Sequence, residues 1–184
     1  MRLFLTKEAQ KAMLELIKRA RGKKVEYGLQ LLLEGDKIYP GKWKWGWPEK
    51  ILGSFLGIGW FHTHPDPLLR YRHLFREPPP PEPLELSQVD ILHIFVSPQH
   101  RIMGVGGTET FMVKLVPYGT EESSEVKLVS LVKPVPVSLR AEILRMLPWV
   151  MIFNTPVEGL EGYYELYTFD LTSTRSYPIE VYLG

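Results

Sequence analysis

The chain has 184 residues, a formal net charge of +1, and 45% hydrophobic against 23% charged residues. This length suits a domain with a buried core, and the composition excludes a disordered chain. The near-neutral charge gives no reason to expect nucleic acid or a membrane surface as a partner. Cysteine is absent, which excludes disulfides and cysteine nucleophiles. We therefore expect a cytoplasmic globular protein, and its single asparagine and many proline, lysine, arginine and glutamate residues fit a thermophile.

The first forty residues predict a helix followed by two strands. Thr6 is a typical helix N-cap, apolar residues then recur at helical spacing, and Gly22 ends the pattern. Every odd position of 25–33 is apolar, as expected of a strand, and Gly35-Asp36 is a turn that leads to a second strand at 37–39.

The rest of the chain mixes the two periodicities. Helices are expected to begin at Ser87 and, with a serine cap, at Ser138. Strands are expected at 51–64, 101–105, 108–116, 149–153, 163–171 and 178–183. The mixed order predicts an α+β fold in which one mixed β-sheet is flanked by helices. A composition shift at 121–125 indicates a C-terminal α/β extension, 121–184, that packs on or continues the domain formed by 1–120.

The stretch Trp60-Phe61-His62-Thr63-His64-Pro65 is the strongest chemical signal. Residues i and i+2 of a strand point to the same side, so His62 and His64 could chelate one metal ion. A catalytic zinc takes three protein ligands and keeps one position open. The third ligand would be a carboxylate or another imidazole, and Asp90 is our candidate.

Other interpretations of these residues stay open. The two histidines could simply end a strand, and Ser87-Gln88-Val89-Asp90 has the form of a helix capping box. His73 is a possible further ligand, whereas we expect packing or surface positions for His93 and His100.

Taken together, Glu26, His62-Thr63-His64-Pro65 and Ser87-Gln88-Val89-Asp90 resemble the motif of the JAMM (JAB/MPN) metalloprotease family. That motif is an upstream glutamate, His-Ser/Thr-His-Pro, and then Ser-x-x-Asp. The likeness covers roughly residues 1–116. It implies a JAMM/MPN-like catalytic domain with a cytidine-deaminase-like core.

The resemblance also implies a role for each residue. His62, His64 and Asp90 would bind Zn²⁺. Glu26 would take a proton from the attacking water and pass it to the leaving amine. Ser87 would donate a hydrogen bond to the developing oxyanion. The scissile bond would be an isopeptide or C-terminal peptide bond of a ubiquitin-like or sulfur-carrier protein.

Two departures from the family pattern matter. Twenty-one residues separate Pro65 from Ser87, where the family has far fewer, and the excess is a basic, aromatic and proline-rich insert at 66–86. The family glutamate usually has a glycine three residues on, whereas Gly28 follows Glu26 by two. Glu34 has the same strand parity as Glu26 and is the rival catalytic carboxylate.

The sequence thus predicts a zinc metallopeptidase, an isopeptidase of the JAMM type. The alternatives are a non-catalytic MPN-like assembly scaffold and a zinc amidohydrolase that acts on a small molecule. We expect the insert at 66–86 to flank the active-site groove. Trp43, Trp45 and Trp47 alternate along the chain, and packing of these indoles against the sheet is the favoured interpretation.

Overall fold

The structure is a computed structural model. It describes residues 1–20, 26–45, 57–63, 86–107, 109–113, 116–121, 125–171 and 175–184. All structural statements below refer to these residues.

Ten strands and three helices are formed within the described ranges. The strands are β1 (Arg2–Leu5), β2 (Tyr27–Glu34), β3 (Lys37–Trp45), β4 (Gly59–Thr63), β5 (Ile102–Gly106), β6 (Glu109–Val113), β7 (Val116–Glu121), β8 (Glu125–Leu131), β9 (Tyr164–Asp170) and β10 (Tyr177–Glu180). The helices are α1 (Lys7–Ala20), α2 (Gln88–Val96) and α3 (Val137–Phe153).

Eight strands form one mixed sheet in the order β10-β1-β3-β2-β4-β5-β8-β9, and β6 and β7 form a separate hairpin. The pairs β1–β3 and β4–β5 are parallel and the other pairs are antiparallel. The sheet curls until it is nearly closed, because the β10 side reaches β8 and β9. Ser130 Oγ donates to the Glu180 carbonyl at 2.7 Å, and the Glu180 amide donates to the Tyr167 hydroxyl at 3.0 Å. The predicted α+β class and mixed sheet are therefore confirmed.

The two faces of the sheet carry two separate cores. Strand alternation sends Phe61 into the core that α1 covers and Trp60 into the core that α2 and α3 cover. His62 has the parity of Trp60, so it lies on the face covered by α2. Position 59 must be glycine, because a Cβ there would lie 2.2 Å from the Ile102 carbonyl oxygen of the adjacent strand. This close approach fixes β4 against β5.

Local signals at helix starts gave correct predictions in two places. The Ala9 amide donates to Thr6 Oγ1 at 3.2 Å, so Thr6 caps α1 as expected. The capping box beginning at Ser87 is also present, with Asp90 as its second member.

Three expectations about local structure were wrong. Residues 149–153 continue α3 rather than forming a strand, because a short apolar run does not by itself distinguish the two and Val150 packs into the α2–α3 core. The N-cap of α3 is Pro136, without a side-chain cap bond, rather than Ser138. The expected strand at 108–116 is instead the β6–β7 hairpin, whose strands pair with each other and not with β5.

The sheet draws strands from both sides of residue 121, since β8 pairs with β5 and β10 pairs with β1. The division into a catalytic domain and an extension stays a prediction. None of the described helices is both long and apolar enough to cross a membrane.

Candidate functional site

The structure brings His62 and Asp90 together at the junction of β4 and α2. His62 is the fourth residue of β4 and is buried, and Asp90 lies in the first turn of α2. His62 Nε2 is 3.2 Å from Asp90 Oδ1. Residues 28 positions apart in the sequence therefore place an imidazole nitrogen and a carboxylate oxygen side by side.

The capping box of α2 holds the Asp90 carboxylate in place. The Ser87 amide donates to Asp90 Oδ2 at 2.9 Å, and the Asp90 amide donates to Ser87 Oγ at 3.1 Å. One carboxylate oxygen thus completes the helix cap while the other faces His62. The capping interpretation and the site interpretation of Ser-x-x-Asp are compatible in the same geometry.

Glu26 lies just before β2, at the end of the sheet where His62 lies. In the β2–β4 register Gly28 is opposite His62, and the Tyr27 amide donates to Thr63 Oγ1 at 3.0 Å. This bond ties the start of β2 to the end of β4. Glu26 shares the strand parity of Gly28, and its charge is close enough to raise the pKa of His62. Glu26 therefore belongs to the same neighbourhood as His62 and Asp90.

The pKa of His62 reflects competing effects of burial and negative charge. Burial lowers the pKa, but the charge of Asp90, its hydrogen bond, the charge of Glu26 and a backbone hydrogen bond with Gly104 outweigh it. The net result is a pKa above the ordinary value. The site is thus strongly negative around its imidazole.

Glu34 lies at the far end of β2, in an exposed position that pairs with Lys37 in β3. It lies six positions along the strand from Gly28, which corresponds to roughly 20 Å. The position of Glu26 is therefore the one that approaches His62.

The donor pair fits a zinc ion. Zinc–nitrogen and zinc–oxygen bonds near 2.1 Å at a tetrahedral angle place two ligand atoms roughly 3.4 Å apart. His62 Nε2 and Asp90 Oδ1, which form a hydrogen-bonded ion pair in the structure, are 3.2 Å apart, a separation compatible with this value. Among the residues described, no group of three or more histidine, aspartate or glutamate side chains is close enough to hold a metal ion. His64, the expected third ligand, lies outside the described residues.

His73 and nearly all of the insert at 66–86 also lie outside the described residues, so their predicted roles stay predictions. Trp47 lies outside them as well. Trp43 stacks on Tyr27 with ring centroids 6.0 Å apart, and the Arg19 guanidinium lies 4.9 Å from the Trp43 ring. Trp43 pairs with Leu29, which packs on α1, so this indole lies on the face opposite His62.

His93 and His100 form a pair beside the site. His93 Nε2 is 2.8 Å from His100 Nδ1, and the Ser97 hydroxyl accepts the His100 amide at 3.0 Å. A nitrogen separation of 2.8 Å is that of a hydrogen bond, which one proton between two neutral rings supplies. The pair links α2 to the segment that begins β5. Burial and the charge of His100 lower the pKa of His93 to about 4, against a smaller opposing effect of Asp90.

Sequence reasoning missed one supporting residue and one supporting pair. Thr63 was treated only as the spacer between two histidines, yet it is fully buried and its hydroxyl holds the start of β2. The pairing of His93 with His100 was also missed, because seven residues of sequence do not show that a helix and the following turn face each other. Strand parity could have indicated Thr63, since a polar residue on a core face needs a partner.

Comparison of the chain with models of known protein families, with curated proteins and with solved structures found no match.

The low pKa of His93 predicts a pH dependence of stability. In the unfolded chain His93 binds a proton near pH 6.5, whereas in the folded chain it binds that proton only near pH 4. The contribution of a neutral His93 to stability is therefore complete above about pH 6.5 and is lost as the pH falls toward about 4. Over this window we expect the free energy of unfolding to fall by up to about 3 kcal/mol from this group.

Urea unfolding of wild type and His93→Gln at a series of pH values, with a chelator present throughout, measures this effect. Glutamine keeps an amide that can donate to His100 but does not titrate. The difference in the free energy of unfolding between the two proteins should vary between about pH 6.5 and about pH 4 and should be constant above about pH 6.5. The exposed cation variant Lys133→Gln controls for the change in net charge. If the free energy of unfolding depends on pH in the same way in wild type and in His93→Gln, protonation of His93 does not couple to folding.

Proposed function

We propose that the chain is a zinc-dependent metallopeptidase of the JAMM type. The observation that carries the proposal is the convergence of His62 and Asp90 at 3.2 Å on the face reached by Glu26. This is the juxtaposition that the family motif requires of residues distant in sequence. The JAMM/MPN-like fold, with a cytidine-deaminase-like core, is part of the same proposal.

His62, His64 and Asp90 would hold the metal, which when bound would act as a Lewis acid and lower the pKa of water. The capping box presents one oxygen of Asp90 toward His62, and the backbone of Gly104 orients the imidazole. Such outer contacts keep ligands in position before the metal arrives.

Glu26 would serve as the general base and then the general acid. Its position at the start of β2 is fixed by the Tyr27–Thr63 hydrogen bond. It would take a proton from water as the scissile carbonyl is attacked and would deliver that proton to the leaving amine. Ser87 accepts a hydrogen bond through Oγ and keeps its hydroxyl proton to donate to the oxyanion.

The proposed substrate is an isopeptide or C-terminal peptide bond of a ubiquitin-like or sulfur-carrier protein. This part of the proposal is supported by the motif alone. A panel that contains a ubiquitin-like fusion, a lysine isopeptide and small amides distinguishes a peptidase from an amidohydrolase of small molecules.

The first prediction of this proposal concerns zinc binding. Wild type should retain one zinc ion per chain after dialysis. His62→Ala and Asp90→Asn should each weaken binding by more than the roughly 10–100-fold typical of outer contacts. Asparagine keeps the size of Asp90 and an oxygen for the helix cap, so a loss of zinc would reflect the missing charge.

Metal content by mass spectrometry, with Glu34→Gln as the control that should keep its zinc, gives the measurement. Stoichiometric zinc in the double variant His62→Ala/His64→Ala would show that the metal lies elsewhere. Absence of zinc from the wild type, even after reconstitution, would remove the metallopeptidase proposal.

The second prediction concerns the catalytic carboxylate. Glu26→Gln should keep the fold and the zinc but lose 10²–10⁴-fold in hydrolysis, the usual contribution of a positioned acid–base group. Glu34→Gln is the matched control, because it makes the same change at the far end of the same strand. Single-turnover hydrolysis beside a zinc assay tests both variants. An inactive Glu34→Gln with a fully active Glu26→Gln would reverse the assignment.

The third prediction separates the two functions of Ser87. Loss of the cap in Ser87→Ala should cost about 1 kcal/mol of stability. If the hydroxyl also stabilises the oxyanion, turnover should fall by about 10²–10³-fold while zinc stays bound. Ser87→Asp should melt nearly as wild type does, because aspartate is a good cap, but should be inactive because it places an anion beside the oxyanion. Normal turnover in zinc-loaded Ser87→Ala would leave Ser87 with the cap alone.

A further inference from the structure

The last two turns of α3 present an apolar face to solvent. Trp149, Met151, Ile152 and Phe153 are 59%, 61%, 70% and 66% exposed, although Val150 between them is buried. Trp149, Ile152 and Phe153 stand at helical spacings of three and four residues and so share one side of α3, and we call these three side chains the α3 apolar face. Met151 lies about 160° around the helix axis from Trp149 and is not part of it. The whole stretch 146–153 lacks a charged residue. A surface helix normally turns polar side chains to solvent, so this face departs from the usual pattern.

The α3 apolar face is an ordered surface and not a frayed helix end. The Asn154 amide closes the helix on the Val150 carbonyl, with Asn154 in the left-handed conformation typical of a C-cap. Gln88 of α2 then holds the following loop twice, donating to the Thr155 carbonyl and accepting the Val157 amide, both at 2.7 Å. The rings of Trp149 and Phe153 stack with centroids 5.9 Å apart.

The area of this face matches what a stable dimer needs. Large side chains have roughly 150–250 Å² each, so the exposed fractions of the three side chains leave roughly 400 Å² of apolar surface. The smallest stable interfaces bury about 600 Å² per partner, and homodimer interfaces are about 65% apolar, which also gives roughly 400 Å². An apolar patch of about 300–600 Å² is the largest on a typical monomer and is often functional, unlike single exposed hydrophobic residues.

We propose that the chain forms a two-fold symmetric homodimer through the α3 apolar face. A second copy is the occupant that the chemistry favours. The stretch 146–153 offers no charge for a charged partner to pair with, and two copies can meet there without like charges facing each other. A two-fold axis needs a single self-complementary patch, and the net charge of +1 opposes association very little. The dimer does not depend on the proposed function.

Sedimentation equilibrium of the full chain tests the proposal. Wild type should have twice the 21.3 kDa chain mass. Ile152→Glu and Phe153→Glu should weaken the dimer by about 30-fold or more, as expected of central apolar contacts. Both side chains are mostly in solvent, so circular dichroism of the monomer should be unchanged, and its melting temperature should fall only slightly, because a carboxylate in the last turn of a helix is unfavourable.

Val137→Glu is the matched control. Val137 is 84% exposed at the first position of the same helix, about 22 Å along its axis from Ile152, and should leave the dimer intact. A monomeric wild type would overturn the proposal, as would a dimer of Ile152→Glu with wild-type affinity. A monomer that binds phospholipid vesicles through this face would also overturn it, since the occupant would then be a membrane.

Discussion

The arrangement of the candidate site depends on one carboxylate with two partners. Asp90 ends the capping box of α2 through Oδ2 and approaches His62 of β4 through Oδ1. The first interaction determines where helix α2 begins, and the second determines where that beginning lies on the sheet. A helix start is usually tolerant of change, because serine, threonine, asparagine and aspartate all cap well. Here the cap also fixes the distance between the Asp90 carboxylate and the buried His62 imidazole.

The sheet supplies the complementary constraint. β4 lies between β2 and β5, and the glycine at position 59 lets it approach β5 more closely than any side chain would allow. Alternation along β4 then separates the functions of successive residues. Phe61 packs in the core on the α1 side, and the Thr63 hydroxyl accepts the hydrogen bond that holds the start of β2. His62 lies on the α2 side. A shift of one residue in this strand would exchange the two faces and dismantle the site.

Much of this arrangement could be predicted from the sequence. The Ser87–Asp90 spacing predicted the cap that the structure contains, whereas the shared side of His62 and His64 stays a prediction because His64 lies outside the described residues. The α+β class followed from the mixed periodicities. What failed was local and had a physical cause. The apolar stretch 149–153 suits a strand or a helix, and in the structure it continues α3, with Val150 in the core that α2 and α3 cover. The strand β8 was missed because Val126 and Leu128 face one core while Val129 and Leu131 face the other, so no apolar alternation marks it in the sequence.

The charges around His62 come from several neighbouring side chains. Asp90 and Glu26 both raise the pKa of His62, so two negative groups act on one buried imidazole. Negative charge around a buried group is costly unless a cation compensates it, and the raised pKa of His62 means that its own imidazolium provides such a cation. His93 does not provide that cation near neutral pH, because burial and His100 lower its pKa to about 4. In the zinc site that we propose, a divalent ion bound by a neutral His62 would take the place of the imidazolium proton and would offset the two carboxylates.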